Sequence, residues 1–507
     1  MQQYLLGLDN GNTMTKAALF DLSGREIAVC SEPVSTLYPQ PGHTERDMQE
    51  LWLQSASAIA AVIKSSAIKP AQIVAVGCSG HGNGVYLLDK QKQPLKAIQS
   101  LDSRATEMVE QWRGQGLDEQ IYKYNLQGIW PAQTAVLLAW LKRYDSAVYQ
   151  QIGTAFCCKD YINYCLSAVL CSDYTDISGA GLMDVTSRTI DPKLLKLYGL
   201  SEACSYLPEL FYSTDIIGQV TDAASQATGL CPGTAVIAGM FDVVAGALGS
   251  GGNDTGQGSV IAGTWSINQV VVDQPVANRQ VFMNCIFDRQ RYLLIESSAT
   301  SATNLEWFVR EFCQREQALA KQRNCSVFDW CNEKVAAVEL AADLPFYLPF
   351  LHGNNDHESA RAGFYGVAAW HTKAHLLHAV YEGVVFAHLD HVNKLRDAGA
   401  PFTSASLAGG GANSEIWSQM FADVLNVPIK ISPGREIGAK GAALCAAFAV
   451  GLFADVSGAV AGMCSIEKVY KPNAALANHY QKRYRHYQLL VEVMTEPWRL
   501  QALLQDR

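Results

Sequence analysis

The chain opens on a short apolar run, Tyr4 to Leu8, followed by the polar turn Asp9-Asn10-Gly11-Asn12-Thr13 and a second apolar run, Ala17 to Phe20. Two apolar runs joined by a short polar turn predict a β-hairpin. Asn-Gly is a common hairpin turn signal and alone accounts for Gly11. It does not account for Asp9, Asn12, Thr13 and Lys16 gathering polar groups at one tip. A turn rich in backbone N–H donors, with a hydroxyl at Thr13, suits phosphate oxygens, and Asp9 suits a magnesium ion held through water. The plan returns later as Val260 to Ala262, then Gly263-Thr264-Trp265-Ser266, then Ile267 to Val272. Two such hairpins form a weak internal repeat, and a nucleotide held between duplicated halves is the economical reading.

Between the hairpins the pattern predicts further strands that end in loops, the usual place for small-molecule contacts in α/β proteins. Asp47-Met-Gln-Glu50 has capping-box spacing and starts an apolar helix. Ile73 to Gly77 reads as a strand delivering Cys78-Ser79-Gly80-His81-Gly82-Asn83-Gly84, with Val85 to Leu88 as the next strand. Three glycines leave room for a ligand, while His81 and Asn83 supply groups suited to sugar hydroxyls; a structural histidine is the plain alternative. Asp102 and Arg104 follow another strand end, where they either pair and cap or both reach the same hydroxylated ligand. Trp130, before Pro131 and an apolar helix over Ala135 to Lys142, is a stacking surface for a sugar face or part of the core. The region from Lys159 to Asp184 reads as scaffold.

Gly239-Met-Phe-Asp242 then places a carboxylate after a short apolar strand, where a general base can sit beside a substrate. The competing role for Asp242 is capping the helix expected over Val243 to Leu248. Gly249 to Asp254 reads as a hinge or boundary. In the second half, Ser406 to Ala408 runs into Gly409-Gly410-Gly411-Ala412, with Asn413-Ser414 capping a helix whose apolar face carries Ile416, Trp417, Met420 and Phe421. A strand, a glycine run and a helix N-terminus let backbone N–H groups approach a nucleotide. Glu436 to Phe453 is helical and dense in glycine and alanine, made for tight packing, and the remainder reads as an amphipathic helical tail.

Composition narrows the partners. A chain of 507 residues predicts roughly two to four domains. A net charge of -9 leaves no basic surplus to neutralise nucleic-acid phosphates, so any anion must be held locally. The 14 cysteines include no Cys-x-x-Cys pair, so neither a zinc site nor a thioredoxin-like site is signalled. The first residues enter a strand at once, without a signal-peptide pattern, and the longest apolar run, Gly441 to Ala454, is too short to span a bilayer. The expected compartment is the cytosol, with no membrane or nucleic-acid partner; a homodimer stays open.

The stretch Ala362-Gly-Phe364-Tyr-Gly366-Val367, followed by His375-Leu376 and Ala379-Val-Tyr-Glu382, resembles the carboxyl-terminal signature of the FGGY family of carbohydrate kinases in residue type and spacing. The first hairpin, the Ser79-Gly80 loop, Asp242, Gly263-Thr264 and Gly409-Gly410-Gly411 fall in the family's order, so the resemblance covers nearly the whole chain. Within the family the style is that of the L-xylulose and 3-keto-L-gulonate kinases, through Leu87-Leu-Asp89, Phe241-Asp-Val-Val244 and Glu382-Gly-Val-Val-Phe386.

The resemblance implies an α/β protein of two ribonuclease H-like, actin-like domains around a deep cleft, residues 1–247 on the sugar and phosphate side and 248–507 on the nucleotide side. It implies ATP and Mg2+ as cofactors, with Asp242 taking the proton from the attacking hydroxyl and Asp9 helping to place magnesium. Thr13 and Thr264 would lie near the phosphates, and Gly410, Gly411 and Asn413 would flank the adenosine. Two departures bear on the substrate. Val243 stands where many members carry an amide that holds the sugar, and Asn83 stands where a lysine or histidine is usual in the xylulose kinases. An asparagine cannot pair with a carboxylate as a lysine does. The expected substrate is therefore a neutral ketopentose, L-xylulose or D-xylulose, with a small polyol of the erythritol or glycerol type or 3-keto-L-gulonate as alternatives. A reading from another class is an actin-like or chaperone-like ATPase acting on a protein partner.

Overall fold

The computed structural model describes residues 2–341, 343–357 and 359–504. The chain divides into two compact units that are discontinuous in sequence. The first comprises residues 1–255, 271–294 and 433–465, and the second residues 256–270, 295–432 and 466–507.

The first unit is built on β1 (Tyr4–Asn10), β2 (Met14–Phe20), β3 (Glu26–Pro33) and β4 (Ile73–Gly80). The strand order is Ile216–Gln219, Ala235–Ile237, β4, β1, β2, β3, and Met240–Phe241 also pairs with β4. β1 is antiparallel to β2 and parallel to β4. Leu5, Leu6 and Leu8 are fully buried although they point to both faces of the sheet, which explains why β1 reads as a continuous apolar run. One face packs on α1 (Met48–Ser66) through Leu51, Ile59 and Val62. Asp47 caps this helix, its carboxylate accepting the Gln49 and Glu50 amides at 2.7 and 3.0 Å. Glu50 instead accepts from Ser35 and Gln54, so only half of the expected capping box forms.

The helix Ile437–Ala449 joins this unit against its glycines. A Cβ on Gly7 or Gly77 would run into the carbonyl of Ala439 or Ala442, and one on Gly249 or Gly441 into that of Ile437 or Ala245. The helix thus lies backbone-to-backbone on β1 and β4 on one side and on the helix Asp242–Gly249 on the other. The small residues that made it look like packing material do that job. A second apolar core, with Val136, Leu137, Leu138, Ile177 and Leu182, binds the helices of the middle of the chain.

The second unit has the strand order Ser266–Val272, Gln257–Ala262, Ser404–Ala408, Ile429–Ile431, Lys468–Tyr470. Its first two strands form an antiparallel hairpin, with Ser404–Ala408 parallel to Gln257–Ala262. This is the β2–β1–β4 plan again, so the repeat read from the hairpins extends to a third strand. The helices Lys373–Asp397, Glu415–Leu425 and Ala474–Ala502 complete it. Among the described residues no helix is long and apolar enough to cross a membrane. All 14 cysteines are free thiols.

Candidate active site

In the first unit, strand register brings the ends of three strands level. Asp9 pairs with Ser79 and Ser79 with Met240; one step further, Asn10 pairs with Gly80 and Gly80 with Phe241. Asp242 follows as the first residue of Asp242–Gly249, with Phe241 at the cap position. Asp242 is therefore inside the helix rather than its cap, and the Val243 amide hydrogen-bonds its carboxyl. The Ser79 hydroxyl donates to Asp9 Oδ1 at 3.0 Å. Lys16, opposite Asp9 on β2, pairs with Glu436 at 2.8 Å.

Burial pushes Asp9 above the ordinary carboxylate value of 3.8, opposed by the Lys16 charge and the Ser79 hydrogen bond and reinforced by Glu436. Asp242 is pushed well above 3.8, first by burial and then by the charge of Asp9. Asp9 raises the proton affinity of Asp242, and the one lysine beside Asp9 is shared with Glu436; such an under-neutralised group of hard oxygen donors fits Mg2+. Gly438 leaves the space they need: a Cβ there would lie 2.6 Å from Asp9 Oδ2. Thr13 is exposed at the hairpin tip.

The loop after β4 lies beside this group. A Cβ on Gly82 would penetrate the Phe241 ring, so the loop rests on the residue preceding Asp242. His81 is buried, its Nε2 2.9 Å from the Tyr86 hydroxyl and its Nδ1 without a protein partner. Burial and the nearby Arg46 charge pull its pKa down to about 3, so the ring is neutral. Asn83 adopts a left-handed φ of 61°, which asparagine tolerates better than most residues, and its Oδ1 is buried without a partner. Asn12 donates to Ser100 at 2.9 Å, leaving its own Oδ1 unpartnered, and the Gln99 amide donates to the Asn12 carbonyl at 3.2 Å. Trp130 Nε1, Gln99 Oε1 and both polar atoms of the Gln133 amide are buried and unpartnered too. Buried polar atoms are rarely left unpaired, and these residues leave theirs without a protein partner in the unit that also holds Asp242. Gln99 and Gln133 are the residues that sequence reasoning missed; nothing in their local pattern distinguishes them.

Asp102 and Arg104 form a two-pronged pair, at 2.8 and 2.9 Å, with side chains almost wholly buried. Arg104 also bonds Glu45 at 2.9 Å, and Asp102 also accepts the Thr44 amide at 2.6 Å. Asp102 does not cap the next helix, Thr106–Gly114, whose cap position is Ala105. Deeper still, the Lys159 ammonium meets Asp160, Asp173 at 2.8 Å and Asp176 at 3.0 Å, all fully buried. Burial pushes Asp176 well above the carboxylate range, the Lys159 charge opposing the rise and Asp173 and Asp160 adding to it. Asp173 caps Tyr174–Gly179, and Thr175 in that helix accepts the Phe241 amide at 2.9 Å. The cluster thus supports the strand end that carries Asp242, consistent with scaffold.

In the second unit the glycine run sits on the hairpin end. Gly409 has a φ of 84°, and a Cβ there would lie 2.7 Å from the Ala262 carbonyl, beside Gly263. A Cβ on Gly411 would meet that of Ala262 at 2.7 Å, whereas Gly410 has open space around it. Thr264, Gly410 and Asn413 are exposed. Of the pair Asn413-Ser414, Ser414 does the capping, accepting the Trp417 amide at 3.1 Å.

Residues 4–249 match the model of the FGGY family of carbohydrate kinases, N-terminal domain, and residues 258–450 that of its C-terminal domain. The chain is 36% identical over 498 residues to the L-xylulose/3-keto-L-gulonate kinase of Escherichia coli strain K12, covering 97% of this chain and 98% of that protein. It is 37% identical to a probable L-xylulose kinase of Pasteurella multocida, over 97% and 99% of the two chains. The solved xylulose kinase of Rhodospirillum rubrum superposes with a TM-score of 0.86 at 26% identity, covering 98% and 100%. The fold is accordingly the actin-like ATPase fold, carried on two sheet-containing α/β units. The chain belongs to the FGGY family of carbohydrate kinases and is an ATP-dependent sugar phosphotransferase.

Proposed function

We propose that the protein transfers the γ-phosphate of ATP to a hydroxyl of a neutral ketopentose, L-xylulose or D-xylulose, with Asp242 as general base. The observation that carries this reading is the set of buried, unpartnered and uncharged polar atoms on His81, Asn83, Gln99, Trp130 and Gln133 in the unit that also holds Asp242. Amides, an indole N–H and a neutral imidazole match hydroxyl and carbonyl oxygens. One buried arginine, Arg104, is already engaged by Asp102 and Glu45. The two named relatives support the substrate class, and the name of the first keeps 3-keto-L-gulonate as the runner-up.

In the mechanism, Asp242 accepts the proton of the attacking hydroxyl, and its raised proton affinity makes it a competent acceptor once ionised. Asp9, held by Ser79, would hold magnesium through water with Lys16 alongside, and the ion supplies charge neutralisation at the phosphates. Asn12 and Thr13 in the first unit, and Gly263, Thr264, Gly409, Gly410, Gly411 and Asn413 in the second, are the proposed nucleotide contacts. Asp102 and Arg104 hold the wall of the sugar pocket by pairing with each other, and Trp130 lends its indole N–H to the sugar. Positioning and charge neutralisation carry most of such a transfer.

The test is a coupled ADP-release assay over ketopentoses, tetritols, hexuloses and keto-acids, on the native protein and on Asp242→Asn. Fastest turnover on a ketopentose is the expected result, with the variant losing at least about a thousandfold in kcat while retaining ATP binding. Nucleotide hydrolysis indifferent to every sugar would end the kinase reading, and normal turnover by the variant would end the assignment of the base.

A further inference from the structure

Two histidines one turn apart on the helix Lys373–Asp397 reach into the sheet of the second unit and hold hydroxyl groups there. His388 is fully buried. Its Nδ1 lies 2.9 Å from Asn268 Oδ1 and 3.1 Å from Ser266 Oγ, and its Nε2 lies 3.1 Å from Ser301 Oγ. The Asn268 amide also donates to Ser266 Oγ at 3.2 Å. His391 repeats the arrangement, with Nδ1 3.0 Å from Glu296 Oε2 and Nε2 2.6 Å from Ser298 Oγ, which in turn lies 2.7 Å from Thr300 Oγ1. Each ring thus spends both nitrogens on partners far away in sequence.

The serines held by His388 flank one feature. Ser266 starts the strand Ser266–Val272, two residues after Thr264. Ser301 stands one residue before Ala302, whose N–H donates to the Gly263 carbonyl at 2.9 Å, and the Thr303 hydroxyl donates to the Thr264 carbonyl at 3.4 Å. One imidazole therefore ties the strand that leaves the Gly263-Thr264 tip to the turn that braces it. Thr264 is exposed while Ser266 and Ser301 are wholly buried, so the tip is open to a ligand and its supports are closed. A backbone tip that receives phosphate oxygens binds better when its shape is fixed beforehand, because less ordering is left to do on binding. We infer that His388 is a positioning residue for the nucleotide, locking the Gly263-Thr264 tip from both flanks, with His391 steadying the start of the same turn through Ser298 and Thr300. Neither histidine touches the nucleotide. The inference rests on reading Gly263 and Thr264 as nucleotide contacts.

The test measures the Kd of ATP by calorimetry on the full-length protein, beside KM for the best sugar at saturating ATP. Ser301→Ala removes the hydroxyl on one flank without touching the helix. His388→Asn keeps an amide nitrogen near the Nδ1 position and gives up the reach to Ser301. Each is expected to weaken ATP binding about tenfold, the scale of one lost buried hydrogen bond, while KM for the sugar stays within about twofold. Because both cut the same bond, the double variant is expected to bind ATP no more weakly than the weaker single one. Thermal melts check that each variant folds, and Ser301→Ala carries the test alone if His388→Asn does not. Native ATP affinity in Ser301→Ala and His388→Asn, with Thr264→Ala weakened, overturns the clamp while leaving the tip as a nucleotide contact. Additive losses in the double variant, or a sugar KM that rises in step with the Kd of ATP, overturn it as well. Native ATP affinity in all three single variants overturns instead the nucleotide reading of the tip.

Discussion

Gly438→Ala isolates the placement of Asp9 from the stability of the fold. Gly438 is the second residue of Ile437–Ala449, a position where alanine is favoured over glycine by up to about 1 kcal/mol. Its backbone is not left-handed, so alanine brings no φ strain. The added methyl would lie 2.6 Å from Asp9 Oδ2, whereas an unstrained contact needs roughly 3.4 Å, so the carboxylate must give way by about 0.8 Å. The helix yields less readily than one side chain, because its backbone is already pressed against Gly7 and Gly77. Rotation of Asp9 strains the 3.0 Å hydrogen bond from Ser79. A misplacement near 1 Å in a reacting constellation costs about a hundredfold in rate. The expected outcome is a melting temperature within a few degrees of the native protein, with kcat/KM for the best sugar lowered by about tenfold to a hundredfold and a higher magnesium requirement. Steady-state ADP release over a magnesium series, alongside thermal melts, measures both. Native kcat/KM at every magnesium concentration would refute the claim that Asp9 must stay where Gly438 allows it to be.

Other consequences are as open to measurement. Gly441→Ala pushes a methyl into the Ala245 carbonyl on a backbone that cannot rotate away, so it destabilises by about 1–3 kcal/mol despite alanine's helix propensity, measured by denaturant unfolding. Asp390 is raised to about 6 by burial, against a hydrogen bond from Tyr484 and the charges of His391 and Lys394. A carboxyl whose folded pKa lies above its unfolded value favours folding most when protonated, so this contribution is present below pH 3.8 and lost as pH rises through about 6. Its size is about 3 kcal/mol at the scale of 1.36 kcal/mol per pKa unit. Asp390→Asn, which still offers an oxygen to Tyr484, is expected to flatten the fall in stability between pH 4 and 7; an unchanged slope would show that Asp390 ionises freely.

What the chain disclosed in advance was local. The hairpin at Asp9 to Thr13, the loop from Ser79 and the position of Asp242 after an apolar run are written in adjacent residues, and periodicity and turn chemistry suffice to read them. The neighbours that give those residues their properties come from elsewhere. Ser79 meets Asp9 only because β4 lies parallel to β1 in one register. Glu436 and Gly438 reach Lys16 and Asp9 from more than 400 positions away, on a helix whose composition advertised tight packing without naming its partner. Gln99 and Gln133 look like ordinary surface or core residues until burial and missing partners single them out. The pairing of Asp102 with Arg104 was one of two readings the sequence allowed, and long-range contacts to Thr44 and Glu45 give the pair its geometry.

Where Ile437–Ala449 lies on Gly7, Gly77 and Gly249, main chain touches main chain and there is no side chain to swing aside. Misfit at such a joint has one outlet, a shift of the whole helix. The same rigid rod shoulders Asp9 at its start and the Asp242-bearing helix along its flank. One small slide would therefore reset the spacing of the two acids in a single stroke.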